Sequence, residues 1–406
     1  MVFMKAHIVS GFWSIIFLLL IVSSSVSAAE EEGFSVGGAV RYNIFVKMFE
    51  DDEITSNDIQ ATWDTWRLNV SGQKGGMKLN FEYRFYPTFA THFIHHGWIG
   101  YDFNEQVGLQ LGVTQVPFGD LTYASHSWWF STAYYAGLED DYDMGLKLSY
   151  NTEKLDLDFA YFYMPEPAGP APEGPSYGVG GSGRYSYDII PDAAKGASIR
   201  ERNQANIRAA YTVGAGEPVN AEVGLSGQFG MLYNSVLDEN GTHLAGALHI
   251  DANIHNLNLK AHAVYFNHMI DNDDSTETNV VQMGAYGSGT YPVAAQALMV
   301  TGGAGYTFNI EKGPFNSVTV YDDFTYTHKM EEGIYDTITN EKEPLEPTMQ
   351  NTVGALVAAG PIYTYIDLAS GVNHPWLTNS FGTGLGKGLK DASWNHRFNV
   401  NLGYYF

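Results

Sequence analysis

Cysteine is absent from the 406 residues. Disulfide frameworks, cysteine-ligated metals and thiol catalysis are thereby excluded. Basic residues are scarce: 21 Lys and Arg stand against 45 Asp and Glu, a formal net charge of −24. Phosphate backbones are bound through Lys and Arg, so no nucleic-acid partner is expected. Long apolar runs are lacking beyond the N-terminus. What is present is glycine (44) and aromatic side chains (27 Tyr, 23 Phe, 8 Trp) in a chain only 16% charged. A soluble fold would have to bury those rings, whereas a barrel in lipid displays them outward.

Residues 1–28 read as a cleaved secretory signal peptide. Lys5 gives the positive start, Ile8 to Val22 the apolar stretch, and Val26-Ser27-Ala28 the small residues before the cut, with Ala29 the neighbouring choice. The apolar stretch is shorter than the roughly 20 residues that span a bilayer. Without cysteine no lipid anchor is expected. Residues 29–406 remain as one domain.

That domain alternates with period two. In Met77-Lys78-Leu79-Asn80-Phe81-Glu82-Tyr83-Arg84-Phe85 every odd position is apolar and every even one polar. The same pattern predicts strands at 34–48, 62–73, 77–86, 93–103, 107–118, 141–151, 155–164, 202–213, 219–233, 243–254, 257–268, 297–310, 317–329, 350–358, 362–370 and 392–406. Tight turns such as Asn104-Glu105-Gln106 and His255-Asn256 alternate with long connections, including 119–140 and 165–201. The expected fold is all-β: a transmembrane antiparallel barrel of about sixteen strands, with short periplasmic turns and long extracellular loops. A soluble jelly-roll sandwich also alternates, but it needs neither this strand length nor an aromatic terminus.

Charge placement tests the register. If the large apolar residues face lipid, Arg41, Lys47, Arg67, Lys78, Arg84, Lys147, Arg208, Lys260, Lys329 and Arg397 all face the lumen, and the other ten bases of the mature chain lie in loops, turns or strand ends. A Lys or Arg facing the bilayer centre costs about 2–4 kcal/mol. Asp64 and Asp322 do not fit. Asp64 is expected near the outer rim and Asp322 in a bulge within Val320-Tyr321-Asp322-Asp323-Phe324. Nine acids face the lumen: Glu82, Asp102, Asp143, Asp156, Asp158, Glu222, Asp251, Asp323 and Asp367. The remaining 34 of the 45 acids fall in loops, turns or the N-terminal stub, which predicts a nearly neutral wall and an acidic mouth.

The chain ends Phe398-x-Val400-x-Leu402-x-Tyr404-x-Phe406. This resembles the last strand of bacterial outer-membrane proteins. The resemblance implies that Phe406, Tyr404 and Leu402 are read by the barrel-assembly machinery. Leu111-Gly112-Val113-Thr114-Gln115-Val116-Pro117-Phe118-Gly119, with Trp128-Trp129-Phe130 and Gly137 to Gly145 after it, is similar to the phosphate-selective porin O and P group. The likeness is sharp over about 107–150. It implies a sixteen-strand trimeric pore in the outer membrane of a Gram-negative bacterium, narrowed by an inward-folding loop at 119–140.

The candidate pore-lining set is Arg41, Arg67, Lys78, Glu82, Arg84, Asp120, Trp128, Trp129, Glu139, Asp140, Asp141, Lys147, Arg208 and Arg397. Glu139, Asp140 and Asp141 are expected to face Arg41, Arg67 or Arg84 across the constriction. The rings of Tyr123, Trp128, Trp129, Phe130, Tyr134 and Tyr135 either pin the loop to the wall, the favoured reading, or form a stacking track for solutes. The basic ladder of a phosphate channel is not visible, so weak cation preference or little selectivity is expected.

No cofactor and no enzyme activity are expected. Ser125, His126 and Ser127, or His249 and Asp251, form no legible catalytic set. No metal site is expected either. His92, His95 and His96 crowd one strand, but His95 and His96 should point to opposite faces. Asp271-Asn272-Asp273-Asp274 lacks the glycine and closing glutamate of a calcium loop. Three functions stay open: a passive porin for small hydrophilic solutes, a channel for one substrate such as phosphate, a sugar or an organic acid, and a sleeve around a periplasmic partner. Outer-membrane lipid and lipopolysaccharide are the expected surroundings.

Overall fold

A strand that alternates apolar and polar side chains has two unlike faces, and closing such strands into a cylinder hides one face inside and leaves no edge. Sixteen antiparallel strands do this here. They are β1 (Gly33–Met48), β2 (Ile59–Lys74), β3 (Met77–Tyr86), β4 (Thr91–Asp102), β5 (Val107–Gln115), β6 (Tyr142–Asn151), β7 (Leu155–Pro165), β8 (Ile199–Val213), β9 (Val219–Asn234), β10 (Glu239–Ile254), β11 (Leu257–Met269), β12 (Gln296–Lys312), β13 (Phe315–Lys329), β14 (Thr348–Ala359), β15 (Ile362–Val372) and β16 (Asn395–Tyr405). Each predicted strand has its counterpart. The computed structural model describes residues 32–49, 59–170, 183–191, 198–270, 279–287, 289–330, 334–336, 341–343, 345–378, 381, 384–386, 388 and 392–406. The signal-peptide reading at 1–28, the Asp271–Asp274 stretch and positions 171–182 of the proline-rich loop lie outside them.

Consecutive strands pair throughout, and β16 returns to β1. At that seam Gly38 N–H donates to Phe406 O at 2.9 Å and Phe406 N–H to Gly38 O at 3.0 Å. A side chain at Gly38 would have its Cβ 2.3 Å from Arg67 O, so the seam closes only over glycine. Outward positions are apolar and exposed, among them Trp66, Leu111, Phe159, Leu225, Leu248 and Leu402. Arg200 and Arg202 sit at the loop end of β8, 5.9 and 4.0 Å from the Tyr233 ring.

Bulges decide two side-chain directions that simple alternation gets wrong, and a third expected bulge does not form. At Arg41/Tyr42 the pairing jumps from Thr65 to Trp63, so Asp64 is the extra residue. It turns inward and pairs with Arg41, rather than lying at the outer rim. Around Asp322 the ladder runs unbroken from Ser317 to Thr327, so the bulge expected there is absent. Asp322 lies on the outer face and accepts from Asn351 Nδ2 at 2.6 Å. On β4 the pairing steps from His96 to Ile94, which makes His95 the extra residue. His95 and His96 then share the inner face, their Nδ1 atoms 2.8 Å apart, instead of pointing to opposite sides. His92 keeps the outer face, against Tyr83 and Phe85.

Short connections, such as 75–76, 152–154, 255–256 and 360–361, gather at one end. The other end carries the long loops. Loops fold into the loop end of the barrel from within. The third loop (116–141), and described parts of the fourth (166–170, 183–191), sixth (279–287, 289–295) and eighth (373–378, 384–386), pack together inside the wall. Asp188–Ile189, Val280–Gly284 and Tyr291–Ala294 form a small three-stranded sheet between the fourth and sixth loops. Its rings, including Tyr185, Tyr187, Tyr286 and Tyr291, join Tyr134, Tyr135, Tyr86 and Phe93 in one aromatic core. These strands were not apparent from periodicity, because each is too short to show a period.

Candidate functional site, the lumen and its third loop

The third loop enters the lumen at Gly119, whose φ of +65° suits glycine. A Cβ there would lie 2.5 Å from His262 Nε2. Gly119 N–H donates to Ser226 Oγ at 3.0 Å, and Gly119 O accepts from Arg208 Nε at 2.9 Å. Asp120 follows and meets Lys260 Nζ at 2.9 Å; Lys260 also reaches Asp251 (2.8 Å) and Tyr123 O (2.7 Å). Burial alone would raise the Asp120 carboxyl, but Lys260 and the Thr122 hydrogen bonds hold it below its ordinary value.

Further along, Asp323 of β13 accepts the backbone N–H groups of His126 and Ser127, both at 2.9 Å, and His126 Nδ1 lies 2.7 Å from its other oxygen. His126 Nε2 lies 2.7 Å from Asn258 Oδ1. Ser125, His126 and Ser127 thus belong to a structural anchor. The two tryptophans then meet the opposite wall. Arg41 lies 3.3 Å over the Trp128 ring, and Arg397 lies 5.1 Å from Trp129 and 3.8 Å from Phe45. Contacts of this kind contribute about 0.5–2 kcal/mol each. Gln350 Nε2 holds Phe130 O at 2.8 Å, and Thr132 meets Thr327 at 2.8 Å. Trp129, Phe130, Tyr134 and Tyr135 are buried, Trp128 is half-buried and Tyr123 is exposed. Most of the rings therefore pack against wall or loops and offer no continuous track.

The wall carries its charges in pairs. Arg41 pairs with Asp64, Lys78 with Asp102, Arg84 with Glu82, and Arg208 with Glu222. Arg67 lies 4.0 Å from Glu82, and Arg84 lies 4.4 Å over the Tyr185 ring. Lys147 donates to Gln115 O at 3.0 Å and Arg397 to Asn399 Oδ1 at 3.0 Å. Like Lys147, Lys329 spends its ammonium on backbone carbonyls, those of Glu346 and Gly384.

The expected pairing of Glu139, Asp140 and Asp141 with the arginines is not what the structure shows. Glu139 turns back into its own loop, accepting Ser131 Oγ and, at 3.0 Å, Ala124 N–H. Burial pushes its carboxyl up to about 7. Asp140 accepts the Tyr185 hydroxyl; burial raises it, with that hydrogen bond and the charges of Arg84 and Arg67 pulling the other way. Asp141 faces other acids. One carboxylate oxygen each from Asp141, Asp143 and Asp188 lie within 4.8 Å of one another. Burial, then the neighbouring Glu166 and Glu201, push Asp141 well above the carboxylate range. Sequence reasoning missed Glu166, Asp188 and Glu201, which reach this point from separate parts of the chain, and it missed Asp323 and Lys260 as anchors of the third loop although both had been placed in the lumen.

No protein-family description and no curated protein sequence matches this chain. Solved structures do match. The outer membrane channel DcaP of Acinetobacter baumannii superposes with a TM-score of 0.55 at 12% identity, over 95% of this chain and 100% of that one. Pseudomonas putida OprB gives 0.54 at 10% identity, over 92% and 94%. An anion-selective porin from Comamonas acidovorans gives 0.53 at 13% identity, over 93% and 100%. At such identities the likeness is one of fold, and the fold of this chain is the sixteen-stranded barrel of bacterial porins.

Proposed function

We propose that this chain is a porin of the Gram-negative outer membrane, a water-filled channel for passive diffusion of small hydrophilic solutes and ions, with weak cation preference or none. One observation carries the reading: a closed barrel, apolar outside, whose inner face holds charged pairs and an ordered loop. An apolar exterior with closed hydrogen bonding is how a β-structure crosses lipid. The short turns then face the periplasm and the long loops the medium, and a cleaved leader at 1–28 accounts for export. The third loop is the constriction, with Asp120, Trp128, Trp129 and Glu139 to Asp141 on it and Arg67, Lys78, Glu82, Arg84, Lys147 and Arg208 on the wall.

Ion selectivity follows from the pairing. A phosphate channel needs unpaired bases in a row, whereas here the wall arginines and lysines are largely matched by acids or capped by carbonyls. The acidic loops concentrate cations at the mouth. Planar-bilayer recordings test this. Steady conductance with a reversal potential near zero or on the cation side is expected; marked anion selectivity, or silence, overturns it. A sleeve around a partner is disfavoured, since the chain's own loops pack inside the wall and narrow the loop end of the lumen.

A homotrimer in outer-membrane lipid and lipopolysaccharide completes the proposal. Its support is the uneven wall: β3, β5 and β6 have 10, 9 and 10 residues, whereas β9, β10 and β12 have 16, 16 and 17. The low side is the side a second copy covers. Phe406, Tyr404 and Leu402, exposed along the outer face of β16, suit recognition by the barrel-assembly machinery.

A further inference from the structure

The pocket beside the return of the third loop has a composition the wall never shows. Asp141 ends the third loop and Asp143 opens β6. Glu166 and Asp188 come from the fourth loop, and Glu201 from β8. The counter-charge among them is Arg184, 3.4 Å from Asp188. Its Nε is spent on Glu166 O at 2.7 Å. Asp143, Glu166 and Asp188 are at most 4% exposed.

Carboxylates this deep normally have every lone pair met. Three here do not. Asp143 Oδ2 accepts from Gln204 at 3.2 Å and Glu166 Oε1 from Ser186 N–H at 2.8 Å, but Asp143 Oδ1, Glu166 Oε2 and Asp188 Oδ2 are buried with no hydrogen-bond partner, the last with only the Arg184 charge beside it. Leaving an anionic oxygen unmet costs several kcal/mol, so something else is expected to meet it. The geometry names the candidate. Oxygens around a calcium ion sit about 2.3–2.6 Å from it, so any two lie within about 5 Å of each other. The Asp141, Asp143 and Asp188 oxygens, mutually within 4.8 Å, satisfy that limit. All the donors are oxygen, with no sulfur or imidazole among them, which selects a hard cation over zinc or copper.

We propose that Asp141, Asp143 and Asp188, backed by Glu166 and Glu201, hold one calcium-class divalent cation. The ion joins the returning arm of the third loop to the fourth loop and to β8. Val116 N–H donates to Asp141 O at 2.9 Å, so the same residue closes the base of the loop. The ion therefore fixes where the third loop leaves the wall, whatever solute the channel passes.

The test is isothermal titration of calcium chloride into the full folded chain, stripped with EDTA and held in detergent. One calcium per chain is expected. Asp188→Asn should weaken binding at least tenfold, while Glu105→Gln, in an exposed turn remote from the pocket, should leave it unchanged. Asn keeps the shape and removes a repelled charge, so the variant is expected to fold. A second measurement needs no variant: terbium bound to the unaltered protein should luminesce through Tyr142 and Tyr185 and be displaced by calcium. Absence of stoichiometric calcium binding overturns the proposal, and protons alone then neutralise the pocket. Binding that survives Asp188→Asn undiminished overturns it too. Conductance does not enter either readout, so a failed channel reading leaves this result standing.

Discussion

The lumen wall and the third-loop pocket solve the same problem in opposite ways. Along the wall, acids and bases meet at contact distance: Arg41 with Asp64, Arg84 with Glu82, and Lys260 between Asp251 and Asp120 of the third loop. In the pocket, acids from three elements crowd one arginine. A matched wall gives up its charges to its own neighbours and shows little net field to a passing ion. A mismatched pocket stays costly until a proton or a cation enters it. Charge within one barrel thus serves structure in one place and awaits a ligand in another.

Unmatching the wall should be the most damaging change. Lys260→Met leaves Asp120 and Asp251 facing each other without a cation. Breaking a buried pair this way costs about 3–5 kcal/mol. Urea unfolding in lipid vesicles should show that loss, and conductance should become noisier as the third loop loses an anchor. An effect under about 1 kcal/mol would mean that the wall pairs are ornamental.

The loop acids should respond with the opposite sign. Glu139 titrates near 7 when folded, against an ordinary value of 4.5. The folded state thus holds the extra proton between those values. The stabilisation is complete below 4.5 and is lost as pH rises towards 7, about 3 kcal/mol in all. Glu139→Gln should remove that part of the pH dependence in cation-free unfolding curves. A variant as pH-dependent as its parent would show that Glu139 is not the group responsible.

Smaller still is Asp188→Asn without divalent cations, where removing one repelled charge should stabilise the barrel by about 1 kcal/mol. A loss of stability there, against the loss expected at Lys260, would erase the distinction between the two regions. Smallest is Asp322→Val on the outer face. An outward acid costs less than the roughly 2–4 kcal/mol of a base at the bilayer midplane. A gain of under about 1 kcal/mol in vesicle unfolding is expected, offset in part by the lost Asn351 hydrogen bond.

The wall was largely legible in the sequence because a two-residue period speaks for itself over ten or more residues. The errors fell where one residue too many enters a strand. Asp64 and His95 are single insertions that no periodicity marks in advance, and each turned a neighbour to the other face. Asp322 failed in reverse, an outward acid with an unbroken ladder. The pocket was not legible at all. Its acids stand at 141, 143, 166, 188 and 201, and only the folding of the fourth loop into the barrel brings them together. Likewise the aromatic core depends on Tyr185, Tyr286 and Tyr291, from loops whose strands are two to five residues long.

The route of the third loop also has a mechanical meaning. It touches β8 and β9 at Gly119, β11 at Asp120, β13 at His126, β1 at Trp128 and β14 at Phe130. A segment fastened at so many points of a rim works like a set of spokes. The cross-section cannot be squeezed along one diameter without shearing several hydrogen bonds at once. The size limit of the opening is then set by the stiffness of the whole hoop, and a lateral push from the surrounding lipid should change it very little.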